Sequence, residues 1–290
     1  MASASDTGFR KIGVVGCGLM GVGIVEVCAR SGYDVVVSEI SQELLHSGLG
    51  RLRKSLDRGL EKGKLTAADH AAALDRVRGT TEVGDFSDCD LVIEAAVENL
   101  DLKRGIFAKL DEVTPQRAIL ASNTSSISIT KLAAATERPS QVIGLHFFNP
   151  VPVMKLLEIV RGIQTSDGTF DAAKAFGDSL GKTIVVAGKD NPGFIVNLLF
   201  VPYGMDAIRG LEDGVATMED FDTAMRLGMA HPMGPFELMD FVGLDTMLFI
   251  ADAMYEDTKD PRYAAPALLR RMVTAGYLGR KTGRGFYDYG

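Results

Sequence analysis

At 290 residues, with 46% hydrophobic and 24% charged side chains, the chain has the length of about two domains of about 150 residues, and its composition excludes disordered and fibrous classes. Its 31 Lys+Arg against 38 Asp+Glu, a formal net charge of -7, exclude an extended non-specific nucleic-acid surface and leave room only for local basic patches. Three cysteines (Cys17, Cys28, Cys89) without metal spacing, no stretch near the ~18 apolar residues of a membrane span, and an N-terminal MASASDTGFR without an apolar core point to a cytoplasmic protein with no structural metal and no membrane partner.

From Lys11 to Gly188, the β-branched runs KIGVV, YDVVVS, CDLVIEA, AILAS, QVIGLHFF, KLLEIV and KTIVVAG alternate with helical segments. Such near-continuous apolar strands predict a largely parallel sheet covered on both faces. Between the second and third runs the spacing predicts two helices, Gln42–Lys62 and Ala67–Val77, joined at Gly63-Lys64-Leu65-Thr66, where a simple crossover needs one. They form a helical insertion spanning 41–78. Lys189-Asp190-Asn191-Pro192-Gly193 is polar and breaker-rich, with a helix cap expected at Asn191 and a first-turn proline at Pro192. The fold class expected is therefore α/β, a Rossmann-like doubly wound sheet over 9–188, followed by an all-α C-terminal domain over 189–290.

In that second part, Phe194, Ile195, Leu198, Leu199, Pro202, Met205, Ile208 and Leu211 recur at helical spacing, and Thr217-Met-Glu-Asp220 resembles a capping box. Nine of the twelve methionines lie here, an apolar excess that suits either core filling or a subunit contact.

Gly16-Cys17-Gly18-Leu19-Met20-Gly21 directly follows KIGVV and opens a helix, Val22–Arg30. Gly16 permits the tight turn, Gly18 lets the backbone approach a pyrophosphate, and Gly21 lets helix and strand pack closely. Glu39, at the end of YDVVVS, stands where a carboxylate accepts hydrogen bonds from an adenosine ribose. It would repel a 2′-phosphate, so the cofactor expected is NAD rather than NADP.

Four histidines are present. His46 and His70 fall among polar residues of the insertion and read as solvated, and His231, before Pro232, reads as structural. His146 lies near the end of QVIGLHFF, and the carboxyl ends of parallel strands border the ligand crevice in doubly wound sheets. Glu158 is an acid among Leu156, Leu157, Ile159 and Val160, where a buried carboxylate requires a companion. His146 is a candidate for it, in a pair that would orient the imidazole.

The blocks GCGLMGVGI, VIEAAVENL, ASNTSS, GLHFFNPVPVMKLLEIV, PGFIVNLLFVPY, HPMGPFELMDFVGLDT and GRKTGRGFYDY together resemble the L-3-hydroxyacyl-CoA dehydrogenases, particularly the short-chain 3-hydroxybutyryl-CoA branch, over nearly the whole chain. The resemblance implies that His146 is the general base for the substrate 3-hydroxyl, that Glu158 is its partner, and that Ser125 and Asn197 hydrogen-bond the substrate oxygen. Taken alone, Ser125 reads equally as a turn cap and Asn197 as a polar position in an early helical turn. It further implies NAD contacts from Leu19, Met20, Glu98, Lys103, Asn149 and Lys281. The last requires the second domain to close over the cofactor.

Residues 51–64, RLRKSLDRGLEKGK, carry six cations against two acids, a pattern that suits either the phosphates of coenzyme A or a solvated helix face. The resemblance places Ser55, Lys62 and Ser125 on the acyl-CoA substrate. The activity implied is NAD-dependent interconversion of (S)-3-hydroxybutyryl-CoA and acetoacetyl-CoA, in fatty-acid β-oxidation or butanoate metabolism, by a homodimer joined through the C-terminal domain. The alternatives are a dehydrogenase of a free 3-hydroxy acid such as L-gulonate, which the basic run disfavours, and a non-catalytic crystallin-like nucleotide-binding protein.

Overall fold

The computed structural model describes residues 7–290, and the chain divides into two compact units, one ending at Asp190 and the other running from Asn191 to Gly290. In chain order the first comprises β1 (Lys11–Val15), α1 (Leu19–Arg30), β2 (Asp34–Ser38), α2 (Gln42–Glu61), α3 (Ala67–Asp75), β3 (Val77–Thr80), β4 (Leu91–Glu94), α4 (Leu100–Val113), β5 (Ile119–Ser122), α5 (Ile129–Ala133), β6 (Val142–Phe147), β7 (Leu156–Arg161), α6 (Asp167–Ser179) and β8 (Thr183–Ala187). The strands form one sheet in the order β3-β2-β1-β4-β5-β6-β7-β8. All pairs are parallel except β6 with β7. The strand order reverses at β1, and the carboxyl ends of β1 and β4 flank the crevice this creates.

The sequence predicts seven of these eight strands. The eighth, β3, takes over the expected end of the second insertion helix, which stops at Asp75 rather than Val77. It is a four-residue edge strand, paired among the described residues only with β2, and its Arg78 and Gly79 interrupt the apolar pattern of a buried strand.

Alternation along the strands sorts residues between the two faces of the sheet. Ile93, Ala121, Ile143, Leu145 and Phe147 pack with Val22, Ile24 and Val25 of α1 and Ala173 and Phe176 of α6 in one core. The intervening positions Glu94, Ser122 and His146 belong to the opposite face, where Gly144 lies against Ile129 of α5.

The insertion is anchored locally. Ser41 caps α2, and Thr66 and Asp69 form a reciprocal capping box on α3. Helix α2 buries Leu45, Gly48, Leu52 and Leu56, and a Cβ at Gly48 would fall 2.2 Å from Cys17 Sγ, so only glycine allows this approach. His70, expected in solvent, instead meets Asp57 Oδ1 at 2.8 Å across the α2–α3 hairpin, whereas His46 is exposed.

The second unit holds α7 (Val196–Glu212), α8 (Met218–Gly228), α9 (Pro235–Val242), α10 (Leu244–Thr258) and α11 (Ala267–Thr274). Its only β pairing among the described residues is the isolated bridges Gly279↔Arg284 and Arg284↔Asp288. The helix expected to be capped at Asn191 starts only at Val196, because Gly193 (φ 81°) and Phe194 (φ 48°) adopt left-handed backbone and break the first turn. Met205, Met239, Met247 and Met254 fill the core with Val201, Ile208 and Phe236. Two buried carboxylates staple the C-terminal segment. Asp240 accepts from the amides of Phe286 and Tyr287, each at 2.9 Å, and Asp222 accepts from the Tyr287 hydroxyl at 2.8 Å.

Candidate active site

Gly16 follows β1 with φ 98° and donates its amide to Ser38 O at 2.9 Å, drawing the turn against β2. A Cβ at Gly21 would fall 1.9 Å from Gly16 O, whereas a Cβ at the exposed Gly18 would meet nothing within 4 Å. The turn is thus tight underneath and open above. Helix α1 begins without a side-chain cap and without an acid in its first turn, and its first intrahelical bond is Val22 N to Gly18 O at 2.9 Å. The amides of Leu19, Met20 and Gly21 precede that bond, so the helix end carries uncancelled positive partial charge. This donor set fits the diphosphate of a dinucleotide.

Glu39 reaches the same turn, accepting from Cys17 N and from Ile40 N, each at 2.9 Å. Its position at the end of β2 fits an adenosine ribose contact. Arg51, counted with the basic run, instead donates to Cys17 O at 2.8 Å and reinforces the turn. Burial, followed by the Glu39 charge, pushes the Cys17 thiol up to about 11.

The antiparallel register sets His146 directly opposite Glu158, so their side chains share one face. Nδ1 of His146 lies 2.6 Å from Glu158 Oε2, with Glu158 fully buried and His146 only 6% exposed. Phe148 packs its ring 4.5 Å from the imidazole centroid.

The turn after β5 carries Ser125. Glu98 Oε1 accepts from the Thr124 hydroxyl, the Ser125 amide at 3.0 Å, the Ser126 amide at 3.3 Å and the Ser126 hydroxyl at 3.2 Å. Lys103 Nζ stands 3.1 Å from Glu98 Oε2 and 2.6 Å from Glu94 Oε1, with Lys103 and Glu94 both buried. Burial pushes Glu98 up, but Lys103 and the donors of the turn outweigh it and hold this carboxyl below its ordinary range. Asn123 Oδ1 accepts from Phe147 N at 2.9 Å, tying the turn to the end of β6.

Asn149 is exposed just beyond β6. Ser55 lies in the C-terminal half of α2 and the exposed Lys62 is its C-cap, one residue past the helix. In the second unit, Asn197 is buried in the first turn of α7, and the exposed Lys281 pairs with Asp245 Oδ2 at 2.6 Å. The sequence reading omits Glu94, although the signal that singles out Glu158, an acid closing an apolar strand, is present in LVIE. It also omits Asp190, which accepts from the Ser128 hydroxyl at 2.6 Å and Thr130 N at 2.7 Å and anchors the start of α5. Among the described residues no cluster of three His, Cys, Asp or Glu side chains is arranged to hold a metal ion, and no helix is long and apolar enough to cross a membrane.

Residues 11–191 match the family model "3-hydroxyacyl-CoA dehydrogenase, NAD binding domain", and residues 193–289 match "3-hydroxyacyl-CoA dehydrogenase, C-terminal domain". The chain is 50% identical over 281 residues to a 3-hydroxybutyryl-CoA dehydrogenase of Mycobacterium tuberculosis, covering 97% of this chain and 98% of that protein. The crystal structure of FadB2 from M. tuberculosis superposes with a TM-score of 0.94 at 50% identity, covering 97% of this chain and 99% of the other. That of (S)-3-hydroxybutyryl-CoA dehydrogenase from Ralstonia eutropha gives 0.91 at 49% identity, with 97% and 99% covered.

Proposed function

The chain belongs to the 3-hydroxyacyl-CoA dehydrogenase family, as an NAD-dependent oxidoreductase, and we propose that it interconverts (S)-3-hydroxybutyryl-CoA and acetoacetyl-CoA with His146 and Glu158 as the catalytic dyad. The observation that carries this reading is the 2.6 Å contact between His146 Nδ1 and a fully buried Glu158 carboxylate. The substrate follows the names of relatives at about half identity, among them the enzymes of M. tuberculosis and R. eutropha.

Bound against the Gly16–Gly21 turn and Glu39, NAD would supply the hydride acceptor for C3 of the hydroxyacyl group. Glu158 accepts the Nδ1 proton of His146 in a hydrogen bond, which fixes the ring in the tautomer whose base toward the 3-hydroxyl is Nε2. As the C3 hydride departs, Nε2 takes the hydroxyl proton and the alcohol becomes a ketone. The Glu158 charge behind the ring offsets the positive charge the imidazole gains. In the reverse direction Nε2–H returns the proton to the carbonyl oxygen. Ser125 and Asn197 hydrogen-bond that oxygen in both directions.

Gly16, Gly18, Leu19, Met20, Gly21, Glu39, Glu98, Lys103, Asn149 and Lys281 are assigned to the cofactor, and Ser55, Lys62 and Ser125 to the coenzyme A thioester. Residues 9–188 thus form the NAD-binding domain, and 189–290 supply Asn197, Lys281 and the dimer contact. Self-association is supported by the exposed apolar residues Val215, Leu227, Met229, Phe241 and Phe249 of the second unit. A cytoplasmic location is supported by Cys17, Cys28 and Cys89, which are buried free thiols.

Steady-state rates over a series of 3-ketoacyl-CoA thioesters, with NADH and NADPH in turn, test the reading. The highest kcat/KM is expected for acetoacetyl-CoA with NADH. Equal turnover of free acetoacetate would overturn the thioester assignment.

A further inference from the structure

Glu94 touches none of the residues assigned to proton transfer or to coenzyme A, yet it sits at the root of the Ser125 turn. We infer that Glu94 is a positioning residue for the reaction: with Lys103 it fixes the Glu98 carboxylate around which the Ser125 turn is folded. The inference rests on the assignment of Ser125 to the substrate oxygen.

Glu94 ends β4 on the sheet face shared with Ser122 and His146, and its register partner on β5 is Ser122. The carboxylate has no solvent exposure and collects Lys103 Nζ at 2.6 Å, the Ser122 hydroxyl at 2.6 Å and Ala96 N at 2.7 Å. Lys103, on α4, spans from Glu94 to Glu98. Two acids therefore share one base, and the second negative charge, on Glu98, is met by the donors of the Thr124–Ser126 turn. The conformation of the turn is thus part of the charge balance.

Three hydroxyls stand in this turn. Those of Thr124 and Ser126 bond Glu98, whereas the Ser125 hydroxyl makes no such bond among the described residues, only its amide being held. The network grips the Ser125 backbone and leaves its Oγ for a ligand. A buried ion pair is seldom more stabilising than apolar residues of the same volume, so stability alone does not explain a triad here. Fixed placement of a group beside the reacting atoms does, since a displacement of about 1 Å costs about 10²-fold in rate.

The test is a cycle among Glu94→Gln, Lys103→Met and Ser125→Ala, read as kcat for acetoacetyl-CoA reduction, NADH affinity by fluorescence, and melting temperature. Glu94→Gln is expected to lower kcat about 10- to 100-fold at saturating NADH, with NADH affinity measured separately because Glu98 and Lys103 are assigned to the cofactor. Added to Lys103→Met or to Ser125→Ala, it is expected to cost almost nothing more, because its effect runs through both residues. The same fractional loss in the Ser125→Ala background as in the parent overturns the inference, since general loosening of the fold acts equally in both. Full activity of Ser125→Ala by itself instead removes the assignment of Ser125. If Glu94→Gln does not fold, Glu94→Gln/Lys103→Met removes both buried charges together, and parental kcat in that folded variant overturns the inference.

Discussion

Glu158 Oε2 stands 2.6 Å from His146 Nδ1 because the antiparallel pairing of β6 and β7 sets these two residues directly opposite each other. Glu158→Gln preserves the volume but removes the charge and can present an amide donor to Nδ1. It is expected to lower kcat about 10²- to 10⁴-fold, the usual contribution of a positioned acid–base group. His146→Ala is expected to abolish turnover while NADH affinity changes little. Stopped-flow turnover and NADH titration of both variants check this, and substantial residual turnover of His146→Ala would remove the dyad from the mechanism.

The strands that make this pair were legible because each is a β-branched run buried on both faces. The pairing itself was legible because an acid in KLLEIV needs a partner. By the same rule LVIE should have flagged Glu94, but its partner Lys103 lies on α4, and a lysine in a helix carries no sign that it is buried. Edge strand β3 was illegible for the opposite reason. Its pairing with β2 comes from tertiary context, while Val77 continues the apolar spacing of the helix before it. The delayed start of α7 was hidden too, since a left-handed Phe194 contradicts local preference and only the folded chain imposes it.

The glycines of the first turn separate packing from binding. A Cβ at Gly21 would fall 1.9 Å from a backbone carbonyl oxygen that cannot move without dragging β1. Gly21→Ala is therefore expected to cost about 2–4 kcal/mol of stability. Gly18→Ala adds a Cβ into open space and is expected to melt with the parent, yet to lose NAD affinity because the added methyl stands where the diphosphate must approach. Thermal melts with and without NAD distinguish the two, and unchanged affinity in Gly18→Ala would count against the turn as the diphosphate cradle.

Glu39 serves both the turn and the cofactor preference. Its carboxylate accepts from Cys17 N at 2.9 Å and presents negative charge where a 2′-phosphate would lie. Glu39→Ala is expected to narrow the ratio of kcat/KM for NADH over NADPH by about tenfold or more, roughly 1.4 kcal/mol. Most of the change should come from lower activity with NADH combined with relief of repulsion toward NADPH. Unchanged relative kinetics would exclude a ribose contact here.

Burial raises Cys17 to about 11 and Cys89 to about 12. At pH 8 only about one Cys17 in 10³ is a thiolate, so native protein is expected to react slowly with iodoacetamide and rapidly once unfolded. The sign for stability follows from proton counting. Between its ordinary value of 9.0 and its folded value of about 11, Cys17 binds more protons folded than unfolded, so its contribution falls as pH rises through that window. Urea midpoints of the parent and Cys17→Ala from pH 8 to 11 should converge with rising pH, and parallel curves would refute the shift.

Lys62, exposed at the C-terminal end of α2, tests the thioester end of the substrate. An exposed lysine attracts a phosphate through solvent, so its effect must shrink as the Debye length falls to about 10 Å at 0.1 M salt and lower beyond it. Lys62→Glu is expected to raise KM for acetoacetyl-CoA about tenfold at low ionic strength, with kcat nearly unchanged, and the difference from the parent should fade as salt is added. Affinity for NADH should stay constant, because Glu39 and the glycine turn lie at the other end of that helix's path. A KM for acetoacetyl-CoA indifferent to the charge reversal even at low salt would mean that the basic run is a solvated face, and that the thioester's phosphates are held elsewhere.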